Sequence, residues 1–217
     1  MTKPGYYVFQ PANDDPEDGS MLHGVPYVQH AFFPPDQSFD KRVQFNHLKS
    51  MSELSSVDPA VLVVFGHGNM GAGIGTHKTY YDEDALARLL VNNGLKLTQK
   101  NLTIYLWACN TGAYTPGSGM FSRRQDPFAK RFANKLHEFR FSGIRVVGVA
   151  GFIAGSGSFS SLKYKGKPLV ENPKVQPTDV SRHILFDVAT SGVTSLTDTK
   201  WICESAPGNQ GWAVRKG

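Results

Sequence analysis

Two short motifs in this 217-residue sequence end apolar runs on side chains that could attack a carbonyl. Val64-Phe65-Gly66-His67-Gly68 closes one run on an imidazole, and Leu106-Trp107-Ala108-Cys109-Asn110 closes another on a thiol. A thiol becomes a thiolate near neutral pH only beside a base or an imidazolium, and His67 could supply one. Gly68, with no Cβ, leaves backbone N–H groups open, as an oxyanion hole requires. The chemistry these residue types suit is acyl transfer from Cys109 with His67 carrying the proton. The same residues also fit a bland reading, a packing cysteine and a hydrogen-bonding histidine in a tight turn. No orienting third residue can be named, because Asn69 and Asn110 could equally stabilise turns.

For the two side chains to meet, their strands must be neighbours, which lie about 4.8 Å apart. The run Val61–Phe65 is wholly apolar and rich in β-branched residues, and Leu102–Ala108 and Ile144–Val149 are two further largely apolar runs. Such runs suit strands buried on both faces of a parallel sheet. Between them, Asp82–Asn92 opens on acidic residues, spaces Leu86, Leu89 and Leu90 as a helix does, and stops at Gly94. Pro127–Phe139 places Phe128, Phe132 and Leu136 on one stripe, with Lys130, Arg131, Asn134 and Lys135 left for the solvent side. The alternation predicts an α/β domain with right-handed crossovers. Functional groups then gather beyond the carboxyl ends of the strands, where both motifs fall. Residues 1–40 read as an irregular lead-in with short strands at Tyr6–Phe9 and Val25–Val28, and residues 41–217 as a single domain. Ser181–Ala189 reads as a short helix, and Leu196–Val214, with Trp201 and Trp212, as a tail packing back on the body.

Composition narrows the classes. With 40% hydrophobic and 19% charged residues the chain can bury a core, which excludes wholesale disorder. Lys and Arg total 23 against 18 Asp and Glu, a charge of +5 that permits an anionic partner without requiring one. Two cysteines, Cys109 and Cys203, make no disulfide scaffold and no zinc site, and they suit a reducing compartment. His77, His137 and His183 lack ligand spacing, so no metal is expected. No run is long enough to span a membrane, and the amino terminus lacks the apolar core of a signal peptide.

The series hydrophobic block, His67-Gly68, helix, hydrophobic block, Ala108-Cys109 resembles the caspase-like cysteine peptidases, the clan of caspases, legumains and gingipains. Over roughly residues 60–170 it is most similar to the inositol-hexakisphosphate-activated, self-cleaving protease domains of MARTX and large clostridial toxins. The resemblance implies a three-layer sandwich with a mostly parallel central sheet, flanking helices and an edge β-hairpin. It implies a cysteine endopeptidase acting on a protein or peptide, with His67 as catalytic imidazole, Cys109 as nucleophile, and the Gly68 and Cys109 amides as oxyanion hole. Because the chain starts at Met1 with no toxin attached, a free-standing bacterial effector delivered into host cytosol is the expectation. Inositol hexakisphosphate is the activator the resemblance implies.

Lys163, Lys165 and Lys167 alternate with Leu162, Tyr164 and Gly166, in a stretch that also suggests a hairpin turning at Gly166. Read along one strand, the three ammonium groups would share a side, suiting a polyanion, although lysines on an edge strand also deter aggregation. Lys41, Arg42 and Arg182 are further cation candidates. Two other functions stay open: a non-catalytic polyanion- or protein-binding module with an inert Cys109, and a nucleotide-binding enzyme using the Gly-rich loop 66–75. That loop matches GxGxxG after a strand, but a dinucleotide fingerprint starts its helix inside the motif. Arg123-Arg124 and the basic helix lack an aromatic platform for nucleic acid, and no GxSxG elbow is present.

Overall fold

The apolar runs become neighbouring strands because each can satisfy its backbone only by pairing with another. A computed structural model describes residues 5–12, 46–47, 50–56, 58–68, 73–76, 78–115, 125–151, 153, 163–164, 167–168, 182–197, 200–205 and 211–216. In chain order the first elements are β1 (Gly5–Phe9), β2 (Asn46–His47), a 3₁₀ turn (Met51–Ser56), β3 (Ala60–Phe65), β4 (His67–Gly68), β5 (Ile74–Gly75) and β6 (Tyr80–Tyr81). Then come α1 (Glu83–Asn92), β7 (Leu102–Trp107), α2 (Phe128–Glu138) and β8 (Ile144–Val149). The chain continues through β9 (Lys163–Tyr164), β10 (Lys167–Pro168), β11 (His183–Ala189), β12 (Gly192–Ser195), β13 (Lys200–Ser205) and β14 (Gly211–Lys216).

Seven strands form the main sheet in the order β12-β11-β8-β7-β3-β1-β2. The five from β8 to β2 run parallel, while β11 and β12 are antiparallel at one edge. The molecule is thus a mixed α/β fold around a mostly parallel sheet. The steps β3–α1–β7 and β7–α2–β8 move the same way across it, so right-handed crossovers bring both helices to one face. Leu86 and Leu90 of α1 and Phe128, Phe132 and Leu136 of α2 are buried there, in one core with Leu62, Val64, Ile104, Leu106 and Val146. Val63, Phe65, Trp107, Val147 and Val149 point to the other face and are buried too. Burial on both faces is why these strands read as unbroken apolar runs.

The first helix starts where its residues dictate. The Asp82 carboxylate accepts from the Ala85 N–H at 2.8 Å and caps α1, whose first turn carries Glu83 and Asp84. Arg131 of α2 pairs with Glu83 at 3.2 Å and ties the two helices together.

Four expectations change. Ser181–Ala189 is not a helix: His183–Ala189 is the strand β11. Ile184, Phe186 and Val188 alternate inward with the less buried Leu185 and Asp187, a period of two that pairs with the exposed edge of β8. The strand expected at Tyr6–Phe9 forms, as β1, but it lies inside the main sheet between β2 and β3 and not in a lead-in apart from the domain. The strand expected at Val25–Val28 falls outside the described residues. The 163–168 hairpin forms, yet β9 and β10 make a separate two-stranded sheet, and the hairpin on the main sheet's edge is β11–β12. Lys163 and Lys167 sit on opposing strands, opposite Pro168 and Tyr164, so these two do not lie along one strand. The tail does fold back: the β13–β14 hairpin joins the body through a bridge between Ile202 and Tyr114.

The Asp82 cap gives a direct check on this architecture. Asp82→Ala should lower stability by about 1 kcal/mol in urea denaturation, with the midpoint moving and the slope unchanged.

Candidate catalytic site at the ends of β3 and β7

The register that joins β3 to β7 pairs Phe65 with Trp107, their last residues. His67 and Cys109 therefore each stand two residues beyond a matched pair. Gly66 extends the ladder one step, its N–H donating to the Trp107 carbonyl at 3.5 Å. The chain then enters the small sheet β4-β5-β6, where His67 pairs with Gly75 and Gly68 with Ile74. A Cβ on Gly66 would come 2.9 Å from the Gly75 carbonyl oxygen, and one on Gly73 2.6 Å from that of Tyr81. These glycines serve a close crossing of strands. The first helix after the motif starts at Glu83, eight residues past Gly75, so the dinucleotide reading lacks its helix among the described residues.

Gly68 makes the decisive contact. A Cβ there would overlap the Cys109 carbonyl oxygen and approach its amide nitrogen at 2.7 Å. The His-Gly and Ala-Cys motifs are therefore in contact through their backbones. His67 is half-buried beside them.

The turn bearing Cys109 is held from three sides. Thr111 Oγ1 lies 2.9 Å from the Leu106 carbonyl and 3.1 Å from that of Ala108, and accepts from the Val149 N–H at 3.0 Å. Asn110 is buried in the left-handed region at φ +60°, which asparagine tolerates better than most residues. Its N–H donates to the Gly151 carbonyl at 2.9 Å, and its Oδ1 accepts from the Gly151 N–H at 3.1 Å. The Ala129 N–H, in the first turn of α2, donates to the Thr111 carbonyl at 2.9 Å. Asn110 thus ties this turn to the one after β8, and the turn-stabilising role open to it in the sequence is the one it fills.

The sulfur sits among amides. The Ile153 N–H donates to Cys109 Sγ at 3.4 Å, and the Ile153 carbonyl lies 3.8 Å away on the acceptor side. Burial pushes the Cys109 thiol above its ordinary value; the N–H groups of Ile153, Cys109 and Gly68 pull the other way without prevailing. Cys109 is half-buried, with the Ile153 peptide beside its sulfur.

Among the cation candidates, Arg182 is buried at the amino end of β11. Its Nη1 donates to the Ala150 carbonyl at 3.2 Å, and its guanidinium lies 4.5 Å from the centre of the Trp201 ring. Lys41, Arg42 and Lys165 lie outside the described residues. Sequence reasoning missed Ile153 and the Arg182–Trp201 stack. The only available sign of the former was its place just past β8, the next strand end in the row. Among the described residues no group of three or more His, Cys, Asp or Glu is placed to hold a metal ion, and no helix is long and apolar enough to cross a membrane.

Residues 28–155 match the family described as a domain of unknown function, DUF8616, and the chain belongs to that family. Neither the curated proteins nor the solved structures contain a match. The matched span holds His67, Gly68, Cys109 and Ile153, and stops before Arg182, Trp201 and the lysine hairpin.

The raised thiol makes a pH prediction. A group that holds its proton more tightly when folded stabilises the fold below its ordinary value and loses that contribution as pH rises through the folded value. Stability should therefore fall from pH 9.0 upward, and Cys109→Ala should show a shallower fall in denaturation midpoints measured across that range. Tyr7, whose hydroxyl is also raised, by burial and then by Glu53, steepens both curves above pH 10.0, so the difference between them reports Cys109.

Proposed function

We propose that this chain is a cysteine endopeptidase of the caspase-like kind, working with Cys109 and His67. The observation that carries the reading is the seat of Gly68 on the Cys109 peptide, which brings an imidazole-bearing turn and a thiol-bearing turn together at adjacent strand ends. The carboxyl edge of a mostly parallel sheet is where α/β folds keep their reacting groups. The amides of Gly68 and Cys109, which this reading assigns to the oxyanion, both act on the sulfur.

In this mechanism His67 takes the Cys109 proton as the sulfur adds to the scissile carbonyl carbon, and the carbonyl π electrons move to its oxygen, held by the Gly68 and Cys109 amides. As the C–N bond breaks, His67 gives its proton to the leaving amine. Water then attacks the thioester, His67 takes the water's proton, and the acid and the thiol are released.

The raised thiol favours a second reading, a binding module in which Cys109 only packs. Effector delivery into a host cell rests on the resemblance alone. Activation by inositol hexakisphosphate rests on the resemblance and the cation candidates it singles out, and no step of the mechanism runs through it.

Cleavage of a peptide library, read by mass spectrometry, separates the two readings. Cys109→Ala should lose more than about 10³-fold in rate, and His67→Ala about 10²- to 10⁴-fold. A peptide electrophile should form an adduct on Cys109 and on no other residue. Cleavage that survives either substitution rules the dyad out, and no cleavage with an unreactive Cys109 favours the binding module.

A further inference from the structure

The helices α1 and α2 end in the same backbone motif, but with different residues at its most demanding position. In α1 the Gly94 N–H donates to the Val91 carbonyl at 2.9 Å and the Leu95 N–H to that of Leu90 at 3.0 Å. In α2 the Arg140 N–H donates to the His137 carbonyl at 2.8 Å and the Phe141 N–H to that of Leu136 at 3.0 Å. Both are Schellman endings, which put the residue after the cap in the left-handed region. Gly94 holds φ +98° with no Cβ to accommodate, whereas Arg140 holds φ +66° with one. The Arg140 side chain is exposed, so packing does not account for it.

Its neighbours carry the same charge. Every lysine and arginine within the two helices has a carboxylate: Arg88 pairs with Asp84, Lys130 with Asp126, Arg131 with Glu83 and Lys135 with Glu138. The connections that follow, residues 93–101 and 139–143, contain no carboxylate. Their Lys96, Lys100 and Arg140 are exposed, and none pairs with a carboxylate among the described residues. Lys100 Nζ donates to the Ser142 carbonyl at 3.2 Å and lies 2.9 Å from its Oγ, which joins the two connections into one surface. Asp58 also reaches this edge, where its carboxylate accepts from Asn101 Nδ2 at 2.9 Å. Leu97, between Lys96 and Lys100, is 51% exposed.

We propose that this surface binds the anionic headgroups of a lipid leaflet, with Lys96, Lys100 and Arg140 on the phosphates and Leu97 entering the acyl boundary. A leaflet of that kind matches both halves of the patch: its negative potential draws the cations, and its interior takes an apolar side chain out of water. A nucleic acid would use the cations and leave Leu97 in solvent. It would also lack a stacking ring, because Phe139 is half-buried beside Arg88 and Phe141 is buried. The two connections lie at the amino ends of β7 and β8, a strand's length from Cys109. A leaflet bound there leaves the carboxyl ends of the strands in solvent.

Co-sedimentation of the full chain with vesicles tests this without reference to peptide cleavage. Vesicles of phosphatidylcholine with one quarter phosphatidylserine should capture the chain at low salt and release it at high salt, and phosphatidylcholine alone should not capture it. Lys96→Gln and Arg140→Gly should each weaken capture about fivefold, the size expected for one cation at a charged leaflet. Arg140→Gly should do so with a melting temperature at or above the parent's, because it relieves the left-handed position. Lys130→Gln removes the same charge from a paired site and should stay within about twofold of the parent. Leu97→Ser should weaken capture while leaving its salt dependence unchanged. Equal capture by both vesicles, capture by neither, a loss in Lys130→Gln equal to that in Lys96→Gln, or no loss in Leu97→Ser overturns the proposal. A duplex RNA that binds as tightly as the charged vesicles, with Leu97→Ser unaffected, assigns the patch to nucleic acid and overturns it too.

Discussion

The contact on which the rest depends is between two backbones, Gly68 against the peptide of Cys109. It exists because β3 and β7 pair in a register that ends both strands together and because residue 68 has no Cβ. Shifting that register by one residue would turn every buried side chain of β3 to the opposite face. With Leu62 and Val64 committed to the helix side and Val63 and Phe65 to the other, the apolar core fixes the register firmly. The relative placement of imidazole and thiol is thus a consequence of hydrophobic burial many residues away, and the tight crossing at Gly66, Gly73 and Gly75 delivers it to the surface.

A second set of constraints comes from polar groups. Thr111 and Asn110 use short side chains to close backbone groups that the turn after β7 leaves unpaired, and each reaches the end of β8. Buried groups of this kind are costly to leave unmade, so the turn has little freedom. The rigidity extends to Gly112 and Gly148, whose backbones are so close that a Cβ on Gly148 would sit 2.8 Å from the Gly112 Cα. Three strand ends therefore behave as one unit: β3 brings His67, β7 brings Cys109, and β8 brings the peptide over the sulfur.

Much of this was legible in the sequence, and the boundary of legibility is physical. Apolar runs and helical stripes are local patterns, so β3, β7, β8, α1 and α2 and the places of His67 and Cys109 could be read directly. The β11 strand could not, because seven residues such as His183–Ala189 carry too few periods to separate helix from strand, and pairing with β8 decides the matter. The lysine row failed for a related reason: alternation in sequence means one side only if no turn intervenes, and the chain reverses between Lys163 and Lys167. Arg182 reads in sequence as a cation candidate for an anionic ligand, although the structure buries it. Its burial depends on Trp201, nineteen positions on, and no local pattern announces that partner.

These limits meet in the chemistry proposed for Cys109. A nucleophile needs its thiolate, while the amides that stabilise an anion at the sulfur are here outweighed by burial. Both influences act at the sulfur: Ile153 donates to it, and the amides of Gly68 and Cys109 act on it too, against the larger effect of burial. On the proposed reading, the proton that burial holds on the sulfur passes to His67 as the carbonyl is attacked.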